Sequence, residues 1–437
     1  VQEKSLNKKP IRIPRAEHTL SRTHISQATL TVLYQLYRAG YQAYLVGGAI
    51  RDVLLGQTPK DFDIVTNARP DEIKGLFRNC RLIGRRFLLA HVRVNKEIVE
   101  VATFRAQHKE GGDGLMEQGR IVRDNVYGTI EEDVWRRDLT INALYYDIQD
   151  FSLLDYINGV EDLRAGIIRL IGNPEQRYQE DPVRMLRATR FAAKLGFTIE
   201  PRTAAPIQAL APLLAEIPPA RLFDEVQKLF LTGHALQSLK QLRHYDLFNL
   251  LFPYTDECFD DPQALALIEQ VLRNTDERLA EGKPVAPAFL WASLLWVPLS
   301  RLLPAQPLKG INQQEILLET GQYLLTQQQK HVSIPRRVVV LIQEIWLLQL
   351  RLTRQNRSKR VYNIMEHPRF RAGYDFLLLR ANAGEEQLKP IAQWWTEFIN
   401  SNTEERKTLL SPNSQSSKPS RRRRQKNKNN KNNDSTD

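Results

Sequence analysis

Tyr44-Leu45-Val46-Gly47-Gly48-Ala49-Ile50-Arg51-Asp52-Val53-Leu54-Leu55-Gly56-Gln57-Thr58-Pro59-Lys60-Asp61-Phe62-Asp63-Ile64-Val65-Thr66 is the stretch whose reading decides the fold. Its short apolar opening breaks at Gly47-Gly48 and continues through Ala49–Leu55 in a helix-compatible pattern. Gly56 to Pro59 marks a turn, after which Asp61–Val65 alternates polar and apolar residues. With a side-chain period of two, Asp61 and Asp63 leave one face of a strand while Phe62 and Ile64 leave the other. Two neighbouring carboxylates on one face repel each other unless a cation lies between them. An exposed strand with two solvated aspartates is the plain alternative. The Gly-Gly-to-helix turn weighs against it, because backbone N–H groups at a helix N-terminus hold phosphate. A phosphate cradle beside metal-binding carboxylates points to nucleotide chemistry.

Working outward, 437 residues suffice for two to four domains and a sizeable core. A hydrophobic content of 42% and a charged content of 26% are ordinary for a globular protein. The two cysteines, Cys80 and Cys258, are too few for a disulfide framework or a zinc cluster, which predicts a reducing compartment. The apolar piece Val338–Leu350 is interrupted by Gln343 and Glu344, so no spanning helix is expected. The N-terminal residues are polar and lack an apolar signal core, and the cytoplasm is the expected location.

Net charge is +12, and residues 411–437 hold eight basic residues against two acidic ones, a net of +6. That tail, with Arg421, Arg422, Arg423, Arg424, Lys426 and Lys428, has nothing to bury and is expected to be disordered. It serves either as a solubilising polyanion contact or, beside a phosphate-handling site, as an RNA-binding segment.

Residues 1–20 read as an extended basic arm. Helical spacing follows from Ser26 to Ala39. Pro70–Arg78 reads as a short helix, and Phe87–Phe104 as two strands turning near Asn95-Lys96. Within the second arm, Glu100 is a lone acid in an apolar run. If that strand lies beside the Asp61/Asp63 strand, Glu100 becomes a third oxygen ligand of the kind magnesium takes. Arg105–Arg120 reads as a mobile loop, and Val122–Ile130 as a return to the sheet. Arg136 and Arg137 are either surface ion pairs or charge partners of a triphosphate. Asp150–Arg169 reads as a loop-and-strand transition with a turn at Asn158-Gly159.

From Glu180 onward the pattern is helical. Arg184, Arg187, Arg190 and Lys194 stack on one face, which is ordinarily a solvated one. Asp181 stands three residues before Arg184, and an acceptor beside donors suits adenine or cytosine rather than guanine or uracil. Amphipathic patterns recur to Phe370–Arg380, and Trp394-Trp395 reads as core more readily than as an RNA platform.

These residues together resemble the class II template-independent nucleotidyltransferases, the bacterial poly(A) polymerases and tRNA CCA-adding enzymes. Gly47, Gly48, Arg51 and Asp52 with Asp61 and Asp63 are similar to the family's catalytic motif, and Glu100 to its third carboxylate. Arg136, Arg137, Asp138 and Asn142 resemble the ribose- and triphosphate-contacting motif; Glu180, Asp181, Arg184 and Arg187 resemble the base-reading motif. Leu82-Ile83-Gly84-Arg85-Arg86-Phe87 with His91-Val92 resembles the poly(A) polymerase signature within the family. Many related transferases carry Ser where Gly48 stands here.

The resemblance implies an α+β protein. A polymerase-β-like nucleotidyltransferase sheet domain (26–150) would follow an N-terminal arm (1–25). An all-α neck (151–232) and body (233–410) would come next, then the disordered basic tail (411–437). It further implies two Mg²⁺ ions, or Mn²⁺, held by Asp61, Asp63 and Glu100. The reaction would be attack of an RNA 3′-hydroxyl on the α-phosphate of ATP. Implied partners are RNA 3′ ends, ATP and RNA-decay factors, with no DNA. A CCA-adding enzyme and a non-catalytic RNA-binding protein are the competing readings.

Overall fold

The computed structural model describes residues 9–84, 88–106, 116–117, 120–121, 126–304, 312–354 and 360–410. Arg85–Phe87, most of the Arg105–Arg120 segment, and the tail from Arg421 to Lys428 lie outside the described residues. The chain divides into two compact units, Val1–Val340 and Leu341–Asp437.

The first unit is organised on a mixed sheet. Its strands are β1 (Ile11–Ile13), β2 (Ala43–Val46), β3 (Asp63–Thr66), β4 (Cys80–Ile83), β5 (Leu89–Val94) and β6 (Glu97–Thr103). A separate small pairing joins β7 (Met116–Glu117) to β8 (Arg120–Ile121), and β9 (Leu144–Asp147) and β10 (Leu153–Asp155) complete the main sheet. The eight-stranded order is β1-β10-β9-β2-β3-β6-β5-β4. Within this sheet β3 and β6 pair in parallel, because α3 (Pro70–Leu76) and the β4–β5 hairpin intervene between them. A second parallel pair, Ile167–Ile168 with Thr198–Ile199, stands apart from it in the neck expected to be all-α. Asn95 sits at φ +56° and turns β5 into β6 as expected.

Alternation divides the sheet's faces. Ile64, Val92, Val99 and Val101 point to one side, where α1 (Gln27–Arg38), α2 (Gly48–Leu54) and α3 cover them. Ser26 caps α1 through the Thr29 amide, and its Val32, Leu33 and Leu36 stripe is fully buried. On the opposite side Val46, Val65, Tyr145 and Leu154 form a second core with Val134. That residue belongs to α4 (Ile130–Arg136), capped by Thr129 and Glu132.

Three expectations change. The strand begins at Asp63 rather than Asp61. Of the expected Val122–Ile130 return, residues 122–125 lie outside the described residues, Tyr127 bridges Arg105 just past β6, and Ile130 already opens a helix. Asn158-Gly159 opens α5 (Gly159–Ala165) rather than a simple turn. Asn158 is left-handed, and a Cβ on Gly159 would meet the Thr140 carbonyl oxygen at 2.4 Å, so only glycine lets the helix start against that turn.

Helicity sets in at α6 (Pro174–Glu180), earlier than the pattern predicts, and continues in α7 (Val183–Leu195). Later helices of this unit, among them Pro219–Phe230 and Pro287–Leu294, pack an aromatic core in which Phe223 stacks on Trp291 at 5.9 Å. In the second unit Leu348, Leu377, Trp395 and Phe398 form the core. Trp395 is buried and donates to the Leu352 carbonyl, while Trp394 stacks on Phe398, so both tryptophans are structural. Among the described residues no helix is long and apolar enough to cross a membrane.

Candidate active site

The parallel pairing of β3 with β6 sets Asp63 directly opposite Glu100. Register partners share a face, so the lone acid in the apolar run joins the aspartates. The packing of Phe62 into the core keeps Asp61 on the open side with Asp63. Val46, the last residue of β2, flanks Asp63 on its other side. The chain then turns at Gly47, where φ is +86° and ψ −143°. A Cβ there would lie 3.7 Å from Asp63 Oδ2 and 4.0 Å from Arg137 Nη1, so the glycine backbone itself lines the site. Gly47→Ala is expected to cost about 1–3 kcal/mol from backbone strain. Equilibrium denaturation checks this, and an unchanged midpoint would contradict it.

Burial raises the Asp63 carboxyl above its ordinary range. Glu100 and Asp61 push the same way, and Arg137 only partly opposes them. Among the described residues no three acidic, His or Cys side chains are yet drawn together tightly enough to hold an ion. The helix behind the glycine turn has only seven residues, so its dipole is a small source of phosphate affinity. Nearby arginines supply more. A Cβ on Gly48 would stand 3.3 Å from Arg51 Nη2, so glycine at this position leaves room for the guanidinium.

Cations gather on the glycine side of Asp63 through one connected network. Arg51 is buried, binds Asp52, and donates Nη1 to Asn142 Oδ1 at 2.5 Å. Asn142 donates to Asp138 Oδ1, and Asp138 Oδ2 accepts Arg187 Nε at 2.5 Å. Two turns further along α7, Lys194 returns to Asp52 at 3.5 Å. The basic stripe of α7 is therefore turned inward onto the sheet's loops, because the partly buried acids Asp52 and Asp138 await it there, rather than solvated. Arg51, Arg187 and Arg190 also surround the Phe191 ring at 4.8, 5.9 and 4.4 Å.

Burial works against the Asp138 charge, yet Arg187, the Leu139 amide and Asn142 hold its carboxyl well below the usual range. A depressed carboxylate stabilises above its unfolded pKa and loses that contribution as pH falls through the folded value. Asp138→Asn should thus cost roughly 1–3 kcal/mol at neutral pH. The difference from the parent chain should shrink as pH drops below about 4; denaturation curves at several pH values check it.

Arg137 hydrogen-bonds Asp133 through Nε and Nη2, and Nε also reaches the Tyr145 hydroxyl. Its Nη1 is the nitrogen beside Gly47. Arg136 turns away to the Ala106 carbonyl. The structure thus brings Gly47, Gly48, Arg51, Asp63, Glu100, Arg137, Asp138, Asn142 and Arg187 together and directs Arg136 elsewhere.

Glu180 ends α6, and Asp181-Pro182 forms the break before α7. Asp181 accepts both donors of Arg221 at 2.9 and 2.7 Å. Arg184 gives Nη1 to Glu180 at 2.9 Å and to the Arg177 carbonyl at 2.6 Å. Acceptor and donor are therefore each held by a different neighbour. Sequence reasoning missed Asp133, Tyr145, Arg177 and Arg221. Asp133 was findable from its four-residue spacing to Arg137. Arg177, whose Nη2 holds the Arg136 and Arg137 carbonyls, sits in the overlooked α6. Arg221, on another helix, carries no local signal.

Residues 43–169 match the family model "Poly A polymerase head domain". Residues 196–259 match "Probable RNA and SrmB- binding site of polymerase A", and 309–429 match "Polymerase A arginine-rich C-terminus". The chain is 49% identical over 412 residues to "Poly(A) polymerase I" of Salmonella typhi, spanning 91% of this chain and 88% of that one. To the "CCA-adding enzyme" of Leuconostoc mesenteroides it is 40% identical over 220 residues, 50% of this chain and 53% of that one. The solved Bacillus stearothermophilus CCA-adding enzyme in complex with CTP is similar at a TM-score of 0.58 and 26% identity, covering 85% of this chain and 82% of that one.

Proposed function

The chain belongs to the poly(A) polymerase family and is a template-independent adenylyltransferase; on that premise we propose that Asp61, Asp63 and Glu100 form its reacting centre, where AMP from ATP joins an RNA 3′ end. The observation that carries this reading is the β3–β6 register, which sets Glu100 against Asp63 next to the glycine turn.

These three carboxylates fit a pair of divalent ions, Mg²⁺ or Mn²⁺. The donors are all oxygen, and Asp63 is pushed toward protonation by burial and by its acidic neighbours, a burden that a cation would relieve. When bound, such ions would offset the charge developing on the attacking and leaving oxygens. The residues around them have separable tasks. Gly47, Gly48, Arg51, Arg137 and Arg187 would hold the triphosphate, with Arg137 Nη1 aimed at the turn. Asp138 and Asn142 would orient the ribose. Arg184, whose Nη1 alone is committed to protein acceptors among the described residues, would read the base together with Asp181, while Glu180 fixes the Arg184 side chain.

The same proposal takes 26–150, joined by β1 and β10 of the same sheet, as the catalytic domain and the rest of 151–232 as the neck. Residues 233–410 would be an RNA-binding body, with the 411–437 tail adding Arg421–Arg424, Lys426 and Lys428 as phosphate contacts. It also takes the cytoplasm as the location, in keeping with two free cysteines, and RNA-decay factors as partners.

The test is to offer one unstructured RNA with Mg²⁺ and each nucleoside triphosphate separately. A long ladder from ATP alone is the expected product. Addition that stops after a fixed two or three nucleotides and needs CTP would overturn it in favour of CCA addition.

A further inference from the structure

The apolar layer that covers β2, β3, β9 and β10 ends at Asp63. Beyond it, on β6, β5 and β4, the same face carries a different set of side chains. Register pairs Glu100 with His91, His91 with Arg81, and Ile98 with Arg93, so all five share the face of the carboxylates. Their neighbours in sequence, Val92 and Val99, point into the opposite core. Arg81 and Arg93 are exposed and, among the described residues, make no ion pair. Ile98, the second residue of β6, is 52% exposed, a large apolar side chain left open on this face. His91 Nε2 donates to Glu100 Oε1 at 3.1 Å, so the patch begins at the carboxylate itself.

The reaction's geometry assigns this face an occupant. Phosphoryl transfer places attacking and leaving oxygens roughly in line on opposite sides of phosphorus. Arg51, Arg137 and Arg187 crowd the glycine side of Asp63, which is where the departing pyrophosphate must lie. The nucleophile therefore arrives from the Glu100 side, and the strand attached to it must cross β6, β5 and β4. We propose that the last nucleotides of the RNA lie across this open face, Arg93 and Arg81 meeting their backbone phosphates and Ile98 the terminal nucleoside. The proposal rests on Asp61, Asp63 and Glu100 being the reacting centre. Adjacent strands stand about 4.8 Å apart, so Arg81 lies roughly two strand spacings from Glu100, within reach of a phosphate close to the end. Backbone contacts of this kind accept any sequence, as a template-independent enzyme needs.

The experiment uses the full chain, a plain RNA and an Arg81→Ala/Arg93→Ala double variant checked for an unchanged thermal melt. The variant's KM for RNA should rise about tenfold while its KM for ATP stays put. The salt slope of RNA affinity should fall by about 1.4 for two lost single-strand contacts. RNA with neutral methylphosphonates at its last linkages should penalise the parent chain and leave the double variant indifferent. Penalties that simply add would overturn the proposal. A 3′-terminal 4-thiouridine supplies an activity-independent reading: crosslinks within 80–100 support the track, and crosslinks confined to residues beyond 233 contradict it. If Asp63→Asn remained active, the reacting centre would be wrong, yet the crosslink would still report where the RNA end lies.

Discussion

Replacing Asp63 by Asn is expected to lower AMP transfer at least about 10³-fold while leaving RNA affinity intact. Asp63 is the residue on which the site's parts meet, being opposite Glu100 in the sheet and within 3.7 Å of where a Gly47 side chain would begin. The amide keeps the shape and removes the charge, so the loss isolates electrostatics from packing. The same substitution should raise the melting temperature of the metal-free protein at neutral pH. Burial and the neighbouring Glu100 and Asp61 hold the Asp63 pKa above its unfolded value. Such a group favours folding below the unfolded pKa and turns against it as pH rises through the raised one. Above that point the ionised side chain is a strain that Asn relieves and that divalent cations also relieve. Transfer near parental rates, or a lower metal-free melt, would remove Asp63 from the centre.

Arg184→Ala should reduce the preference for ATP over GTP and UTP by roughly a hundredfold, the value of one buried charged hydrogen bond. The residue is only 8% exposed, so a hydrogen bond that it makes is weakly screened by water. Its removal also takes one of two partners from Glu180, which accepts from Arg177 and Arg184 at 2.6 and 2.9 Å. Some stability should therefore be lost as well. Competition assays with all four triphosphates check the selectivity, and unchanged preference would mean that Asp181 and Arg221 carry the reading without it. Arg221→Ala makes the converse test. It frees the Asp181 carboxylate that Arg221 grips with two hydrogen bonds, and selectivity should blur while RNA affinity holds.

Much of this site was legible in the chain because its parts are local. Gly47-Gly48 and Asp61-x-Asp63 stand within one turn-helix-turn-strand unit, and the apolar Phe62 between the aspartates, packed into the core, leaves both on the open side. The β5–β6 hairpin was equally plain, since Asn95 marks it. What remained hidden depends on pairing across distance. No local signal states that β6 lies parallel to β3, and with the other register Glu100 would have faced the core. The basic stripe of α7 looked solvated because its partners, Asp52 and Asp138, lie far away in sequence. The α5 helix was obscured by Asn158-Gly159, a dipeptide that usually turns a chain and here starts a helix, with glycine pressed on Thr140.

The most direct measurement counts bound Mn²⁺ by electron paramagnetic resonance in the presence of a non-hydrolysable ATP analogue, for the parent chain, Asp63→Asn and Glu100→Gln. Two ions per parent chain, falling by at least one in each variant, is the predicted result. Equal stoichiometry and affinity in all three proteins would show that these neighbouring carboxylates do not hold the ions, and would contradict the account at its centre.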